Sequence, residues 1–308
     1  MQKLKYLISA TQFTDRELLE SLFNSAVAME RHDASRSLEL SLSGRILATI
    51  FYEPSTRTRL SFEAAMQKLG GSILTAENAR ENSSAAKGET IADAIRVIGG
   101  YADVIVMRHF EEGAAKTAAA ISPVPLINAG DGMGEHPTQA LVDIYTILKE
   151  LGSVEEKRIA LVGDLLYGRT IHSLLQLLSL YRNVSIDLIS PLSLRLPEKY
   201  LGPLRAQGML VREAEALDDD AYQADVLYVT RMQRERFTDS DEYEAIKDSY
   251  FIDADAAARL KKDAIILHAL PRVHEIDPCV DADPRAAYFR QARNGLFVRM
   301  ALLQHLLS

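Results

Sequence analysis

Short apolar runs recur along this 308-residue chain, separated by longer stretches whose apolar residues stand three and four apart. Continuous apolar runs bounded by polar turns read as strands covered on both faces, and the longer spacing reads as helices. After a helical region from Asp15 to about Arg31, strands are predicted at Ile46–Tyr52, Gly71–Thr75, Val104–Met107 and Pro125–Asn128. Helical stretches lie between them, among them Thr90–Gly99 and Gly113–Ile121. A helix over Thr138–Leu151 leads to a second set of strands at Arg158–Val162, Val184–Ser190, Val226–Val229 and Ile265–His268. A last helix, about Gly295 to Leu307, is followed by no strand. This alternation predicts an α/β fold of two domains, each a parallel β-sheet flanked by helices, joined by long helices.

Ligands of open α/β sheets bind beyond the carboxyl ends of the strands, and those ends are where this chain turns polar. The runs leading into Ser55–Arg59, Arg108-His109 and Gly130–Gln139 belong to the first set. Those leading into Gly163–Arg169, Thr230–Gln233 and Leu270–Arg272 belong to the second. Six strand ends finishing in polar, mostly basic residues are expected to form one composite site between the domains.

The densest of these is Phe51-Tyr52-Glu53-Pro54-Ser55-Thr56-Arg57-Thr58-Arg59. A helix follows it, with Phe62, Ala65, Met66 and Leu69 on one face and Gly70-Gly71 as its stop. Pro54 stands just ahead of the helix, where a missing N–H costs least. Ser-Thr-Arg-Thr therefore lies at a helix N-terminus, whose free N–H groups and positive dipole end attract an anion. Hydroxyls and guanidiniums add the charge and hydrogen bonds suited to phosphate or carboxylate.

Composition narrows the picture. The net charge of −8 argues against a general nucleic-acid or anionic-membrane surface. A single cysteine, Cys279, excludes an intrachain disulfide framework and a cysteine-based metal cluster, and suits a reducing compartment. With no apolar run of membrane-spanning length and no signal-peptide core after Lys3 and Lys5, a cytoplasmic location is expected. There is no G-x-x-x-x-G-K-[ST] loop for phosphoryl transfer from ATP. The turn at Gly163–Thr170 lacks the spacing of a dinucleotide fingerprint.

The Ser-Thr-Arg-Thr-Arg run resembles the carbamoyl-phosphate signature of the transcarbamoylases, and further motifs follow in that family's order over nearly the whole chain. The resemblance is to the catalytic chains of the aspartate-specific branch. It implies carbamoyl transfer from carbamoyl phosphate to L-aspartate, toward pyrimidines, with no cofactor and no metal. It also implies a carbamoyl-phosphate domain of residues 1–137 plus 288–308 and an aspartate domain of residues 138–287. On the matching positions, Ser55, Thr56, Arg57, Thr58, Arg108, His136 and Gln139 would bind carbamoyl phosphate, with the main-chain carbonyls of Ala269 and Leu270 at its amino group.

Taken alone, Ser83-Ser84-Ala85-Ala86-Lys87-Gly88-Glu89-Thr90 reads sooner as an ordinary exposed loop than as a mobile loop presenting Lys87 to phosphate. The resemblance makes it the loop whose Ser83 and Lys87 enter the neighbouring subunit's site, within a homotrimer. Arg108, from its surroundings alone, would meet an anion or pair with Glu111 or Glu112. His136 alone reads as a capping or packing residue. In the family's roles Arg57, Thr58, Lys87, Arg108 and His136 are catalytic, His136 acting with Thr58 and Arg108 on the carbonyl oxygen where charge grows. Arg169 and Arg231 would hold the two carboxylates of aspartate, with Gln233 and Lys87 assisting; bidentate arginines suit such a ligand.

Departures are local. His268-Ala269-Leu270-Pro271-Arg272 carries Ala269 where the family usually has proline, and His274 replaces a usual aspartate. Leu270–Pro271 is a candidate cis peptide. The Ser-Met-Gly loop of ornithine transcarbamoylases is missing, as is their cysteine in the His-x-Leu-Pro element. Two alternatives stay open: a transcarbamoylase for another amine acceptor, and a non-catalytic homologue that binds metabolites or assembles with a partner. Glu111-Glu112-Gly113-Ala114-Ala115 also resembles the branch that binds separate zinc-containing regulatory chains.

Overall fold

The structure, a computed structural model, describes residues 4–232 and 249–308. These divide into two compact units, residues 1–142 with 293–308 and residues 143–292.

Unit 1 holds α1 (Arg16–Ala34), β1 (Ile46–Phe51), α2 (Thr56–Lys68), β2 (Ser72–Glu77), α3 (Ala79–Asn82), α4 (Ile91–Gly99), β3 (Val104–His109), α5 (Ala114–Ile121) and β4 (Leu126–Asp131). All pairings are parallel, in the order β2-β1-β3-β4. The central strands are buried on both faces, as their unbroken apolar runs require. Ala48, Ile50, Ile95, Ile105, Met107 and Ala115 lie in the core of this unit. The N-terminal segment finishes the sheet: Leu7 N–H donates to Leu126 O at 2.9 Å and Asn128 N–H donates to Leu7 O at 2.8 Å.

The helix α6 (Pro137–Leu151) leads into unit 2, which holds β5 (Arg158–Val162), α7 (Arg169–Leu178), β6 (Ser185–Ile189), α8 (Glu198–Ala206), β7 (Leu210–Ala214), β8 (Val226–Val229), α9 (Ala254–Ala258) and β9 (Ile265–Leu267). The strand order is β7-β6-β5-β8-β9, again wholly parallel. The chain returns to unit 1 along α10 (Tyr288–Leu307). Among the described residues, no helix is long and apolar enough to cross a membrane.

The strands stand where the apolar runs place them, with one addition. β7, Leu-Val-Arg-Glu-Ala, is a partly exposed edge strand with no apolar run to announce it. Its Arg212 Nε donates to Asp187 Oδ1 on β6 at 2.8 Å, and Arg158 Nε on β5 donates to Asp187 Oδ2 at 2.7 Å. A charge ladder across neighbouring strands thus supports what hydrophobic pattern does not. The last helix begins at Tyr288, earlier than the expected Gly295, which falls within it.

A buried polar cluster ties β8 to both long helices inside unit 2. Tyr228 Oη donates to Asp143 Oδ2 at 3.0 Å, and Gln291 Nε2 donates to Asp143 Oδ1 at 2.6 Å. Tyr228 and Asp143 are fully buried. Burial and the adjacent carboxylate push the Tyr228 hydroxyl well above its ordinary pKa, so it stays a donor. Tyr228→Phe removes one donor from a buried carboxylate and is expected to cost about 1–3 kcal/mol. The check is a lower urea midpoint at unchanged m-value; an unmoved midpoint refutes it.

Candidate active site

In unit 1 the strand order reverses between β1 and β3, and in unit 2 between β5 and β8. Such switch points are where open α/β sheets bind ligands. Each carries arginines at its strand ends and at the helix starts and loops that follow: Arg57 on α2 and Arg108 on β3 in unit 1, Arg169 on α7 and Arg231 after β8 in unit 2.

After β1, Ser55 is the N-cap of α2 and its side chain makes no capping hydrogen bond. The first-turn N–H groups are therefore not consumed by the cap, and Thr56, Arg57 and Thr58 form that turn. Thr58 is buried. The two guanidiniums of this run part company. Arg59 is an internal structural residue, with Nη2 donating to Glu77 Oε2 at 2.7 Å and Nη1 to Glu63 Oε1 at 3.3 Å. Arg57 has no such partner among the described residues, and partial desolvation lowers its pKa. At neutral pH a guanidinium remains charged regardless. The anion-cradle expectation thus narrows to Arg57, and Arg59 drops out as the second cation.

At the end of β3, Arg108 pairs with Glu53, Nε to Oε2 at 3.4 Å, a partner that the sequence did not announce. Its Nη1 reaches Ala129 O at 3.4 Å. Glu53 went unremarked in the sequence although it precedes Pro54 directly, because nothing local pairs it with a residue so far along the chain. Next to it, Glu111 N–H donates to His109 Nδ1 at 3.0 Å. His109 stacks on Phe110 and meets Tyr52 edge-on. Phe110 in turn lies 4.6 Å under the Arg80 guanidinium.

The loop after β4 is organised by Asp131. Its Oδ1 accepts from Asn128 Nδ2 at 3.0 Å and Glu135 N–H at 3.1 Å, and its Oδ2 accepts Gly113 N–H at 2.9 Å. Gly132, at φ +49°, has no room for a side chain, since a Cβ would stand 2.7 Å from Glu112 N. Glu135 anchors the N-terminal segment by accepting from Ser9 Oγ at 2.5 Å and Ala10 N–H at 2.7 Å. His136 follows, buried, with Nδ1 3.3 Å from Thr138 Oγ1. Gln139 is half-buried in the first turns of α6. Ser83 caps a single 3₁₀ turn by accepting Ala85 N–H at 3.1 Å, and that turn ends at Lys87. Lys87 is exposed and has no carboxylate partner among the described residues.

In unit 2, Gly163 turns the chain after β5 at φ +108°, and a Cβ there would stand 2.7 Å from Thr230 O. Thr230 Oγ1 donates to Val162 O at 2.9 Å, stitching the end of β8 to that of β5. Arg169 opens α7 and Arg231 follows Thr230, both half-buried. Gln233 lies outside the described residues.

After β9 the Leu270–Pro271 bond is cis, as the sequence suggested, and Leu270 stands at φ +57°. Its N–H donates to His268 Nδ1 at 2.7 Å, and His268 Nε2 lies 2.7 Å from Glu275 Oε1. Burial alone would raise the Glu275 carboxyl; the His268 hydrogen bond, with backbone N–H groups, outweighs it and holds it below the usual range. Arg272 is bound to Asp281 and Tyr288, so this arginine is neutralised within unit 2. His274 is exposed and stacks on Phe251 at 5.3 Å. Among the described residues, no group of three His, Cys, Asp or Glu side chains is placed to hold a metal ion.

Arginines gathered at the switch points of two parallel-sheet units suit small anionic ligands. Residues 5–149 match the family model described as aspartate/ornithine carbamoyltransferase, carbamoyl-P binding domain, and residues 155–306 match its Asp/Orn binding domain. The chain is 54% identical over 306 residues to the chloroplastic aspartate carbamoyltransferase of Arabidopsis thaliana, covering 99% of this chain and 78% of that one. It is 51% identical over 305 residues to the aspartate carbamoyltransferase catalytic subunit of Methanocaldococcus jannaschii, covering 99% and 98% of the two. The Trypanosoma cruzi aspartate transcarbamoylase solved with carbamoyl phosphate and aspartate superposes with a TM-score of 0.93 at 44% identity, over 99% of this chain and 98% of that one. The chain belongs to the aspartate carbamoyltransferase family.

His109 supplies a pH test of the unit 1 site. Burial lowers its pKa, and Arg80 adds to that, against Glu111, Glu53 and Asp131, which pull it up. The folded state thus binds this proton less readily than the unfolded chain, where histidine titrates near ~6.5. Its contribution to stability is complete above that value and declines as pH falls through it toward the lower folded value. Substituting His109→Asn, whose amide oxygen can still accept the Glu111 N–H, is expected to flatten the fall of the thermal midpoint between about pH 7 and pH 5. Identical slopes for parent and variant would remove His109 from that transition.

Proposed function

We infer that this chain transfers the carbamoyl group of carbamoyl phosphate to the amino group of L-aspartate, a step of pyrimidine synthesis. The observation that carries this reading is the division of arginines: Arg57, with no carboxylate partner among the described residues, at the α2 N-terminus in unit 1, and Arg169 at the start of α7 and Arg231 after β8 at the switch point of unit 2. A phosphate suits the first arrangement and a dicarboxylate the second. The amine nitrogen attacks the carbamoyl carbon, and the bond from that carbon to the phosphate-bridging oxygen breaks. The electron pair leaves with phosphate, and the nitrogen's proton goes to a phosphate oxygen. N-carbamoyl-L-aspartate and phosphate are the products, and no covalent enzyme intermediate is formed.

In this reading Ser55, Thr56, Arg57 and Thr58 hold the phosphate, and Arg57 takes up charge as it leaves. Thr58, Arg108 and His136 donate to the carbonyl oxygen as it becomes an oxyanion. Gln139 and the main-chain carbonyls of Ala269 and Leu270 fix the amino group. Arg169 and Arg231 bind the two aspartate carboxylates, with Gln233 and Lys87 assisting. For Arg108 the pairing with Glu53 must yield to substrate, so that carboxylate sets how readily the arginine is released.

Arg57→Ala is expected to lower kcat by about 10²–10³-fold, the usual effect of losing one donor to developing charge. Steady-state kinetics with varied aspartate checks it, and unchanged turnover sinks the role. Arg231→Ala is expected instead to raise KM for aspartate, and normal saturation would refute its part. Running carbamoyl phosphate with L-aspartate and with L-ornithine in parallel tests the acceptor. Product with ornithine alone would overturn the roles of Arg169 and Arg231, and no product with either favours a non-catalytic homologue.

We further propose a homotrimer in which Ser83 and Lys87 serve the neighbouring subunit's site. The exposed Lys87, with no carboxylate partner among the described residues, supports this. Mixing inactive Lys87→Ala and Arg57→Ala chains is then expected to restore part of the activity. No recovery after verified subunit exchange would argue against sharing. Binding of separate zinc-containing regulatory chains at the exposed Glu111-Glu112 segment, and a cytoplasmic location consistent with the lone Cys279, complete the proposal. Co-purification and cell fractionation test these two points, and a protein recovered as bare catalytic chains or in an organelle would remove the respective one.

A further inference from the structure

The turn after β9 is held by a buried pair that the reaction itself does not use. The Leu270 N–H can only donate, so His268 Nδ1 is the bare nitrogen and the imidazole proton sits on Nε2. That proton is directed at Glu275 Oε1, 2.7 Å away, and both side chains are buried. The other carboxylate oxygen accepts the N–H groups of His274 at 3.1 Å and Val273 at 3.3 Å. Behind the imidazole, His268 N–H donates to Gln291 Oε1 at 2.9 Å, and Gln291 donates to Asp143. His268 is therefore fixed through both its main chain and its ring, within unit 2.

What it fixes is a strained residue. Leu270 stands at φ +57°, a region that a residue with a Cβ rarely adopts. Such conformations persist where the surroundings over-determine them, and they cluster at ligand sites. With Ala269 in place of a φ-locking proline, restraint of this stretch must come from elsewhere. The His268 Nδ1 bond supplies it two residues downstream, much as an Asx turn does.

We propose that His268, oriented by Glu275, is a positioning residue that holds the Ala269–Leu270 main chain where its carbonyls accept from the carbamoyl amino group. The inference rests on the carbamoyl-transfer reading above. Glu275 selects the tautomer, and the tautomer selects the backbone, as outer carboxylates do for metal-bound histidines. Neither side chain touches substrate.

Three variants separate this role from a merely structural one. His268→Leu removes both hydrogen bonds. His268→Asn keeps an acceptor for the Leu270 N–H. Glu275→Gln permits the other tautomer, in which an Nδ1–H faces that N–H. Each is assayed for kcat, KM for aspartate, the dissociation constant of inorganic phosphate and the thermal midpoint. His268→Leu is expected to lose kcat by ~10²-fold, the scale of a small misplacement of reacting groups. His268→Asn is expected to recover most of that loss, and Glu275→Gln to fall between them. Phosphate binding, assigned to unit 1, should stay within twofold throughout. Folded His268→Leu with parental kcat, or His268→Asn no better than His268→Leu, overturns the proposal. If His268→Leu does not fold, parental kcat in folded Glu275→Gln overturns it equally. A parent protein that makes no carbamoyl-aspartate fails the reading of the reaction instead.

Discussion

Parallel pairing of β1 with β3, and of β5 with β8, is the constraint from which the chemistry follows. A parallel strand can be rejoined only by a crossover that carries the chain back to the starting edge. All strands of a sheet therefore finish along one edge, and the helices that follow begin there. Their N-termini bring unpaired N–H groups and partial positive charge to the same place. Ser55–Thr58 and Arg108 meet at one such edge, and Arg169 and Arg231 at the other, although far apart in the chain. No local device could bring them together so economically.

The second requirement is that some cations stay available in a chain with 43 acidic and 35 basic residues. Most arginines here are answered by carboxylates: Arg59 by Glu63 and Glu77, Arg212 by Asp187 and Asp218, Arg285 by Asp283. Arg57 escapes through helix geometry. Glu63 is four residues beyond Arg59 and so on its face of α2, whereas residues two apart on a helix do not share a face. The same turn of helix thus carries one structural arginine and one available for a ligand. Arg108 is an intermediate case, held by Glu53 through a contact of 3.4 Å.

Legibility in the sequence followed from how local each signal is. β5 and β8 were readable to the residue because buried parallel strands are short apolar runs with polar ends. The edge strand β7 was not, since Arg212 and Glu213 interrupt it and its support is a carboxylate on β6. The start of α10 was hidden by Gly295, a residue that argues against a helix interior. There a Cβ would come within 2.3 Å of the terminal nitrogen of the Arg299 side chain, which lies against this glycine. Among site residues, the contiguous Ser55–Thr58 run announced its helix N-terminus, but the fate of Arg59 depended on Glu77 in another strand. Glu53 and Glu275 went unread for the same reason: the cation or imidazole each meets is set by tertiary structure.

The two histidine turns show how such an edge is finished. At the end of β3, His109 Nδ1 accepts the N–H of residue 111; after β9, His268 Nδ1 accepts that of residue 270. An aspartate or asparagine could close either turn, but each imidazole also reaches a second support, aromatic rings for His109 and Glu275 for His268. The bond to each N–H requires a bare Nδ1, so both rings act without adding a charge through that nitrogen. Positive charge at these edges is then left to the arginines, whose guanidiniums do not titrate in the working range. A turn closed by aspartate would place a second carboxylate near Arg108, besides Glu53, and add to the competition with an incoming anion. Histidine closes the turn without adding a further carboxylate there.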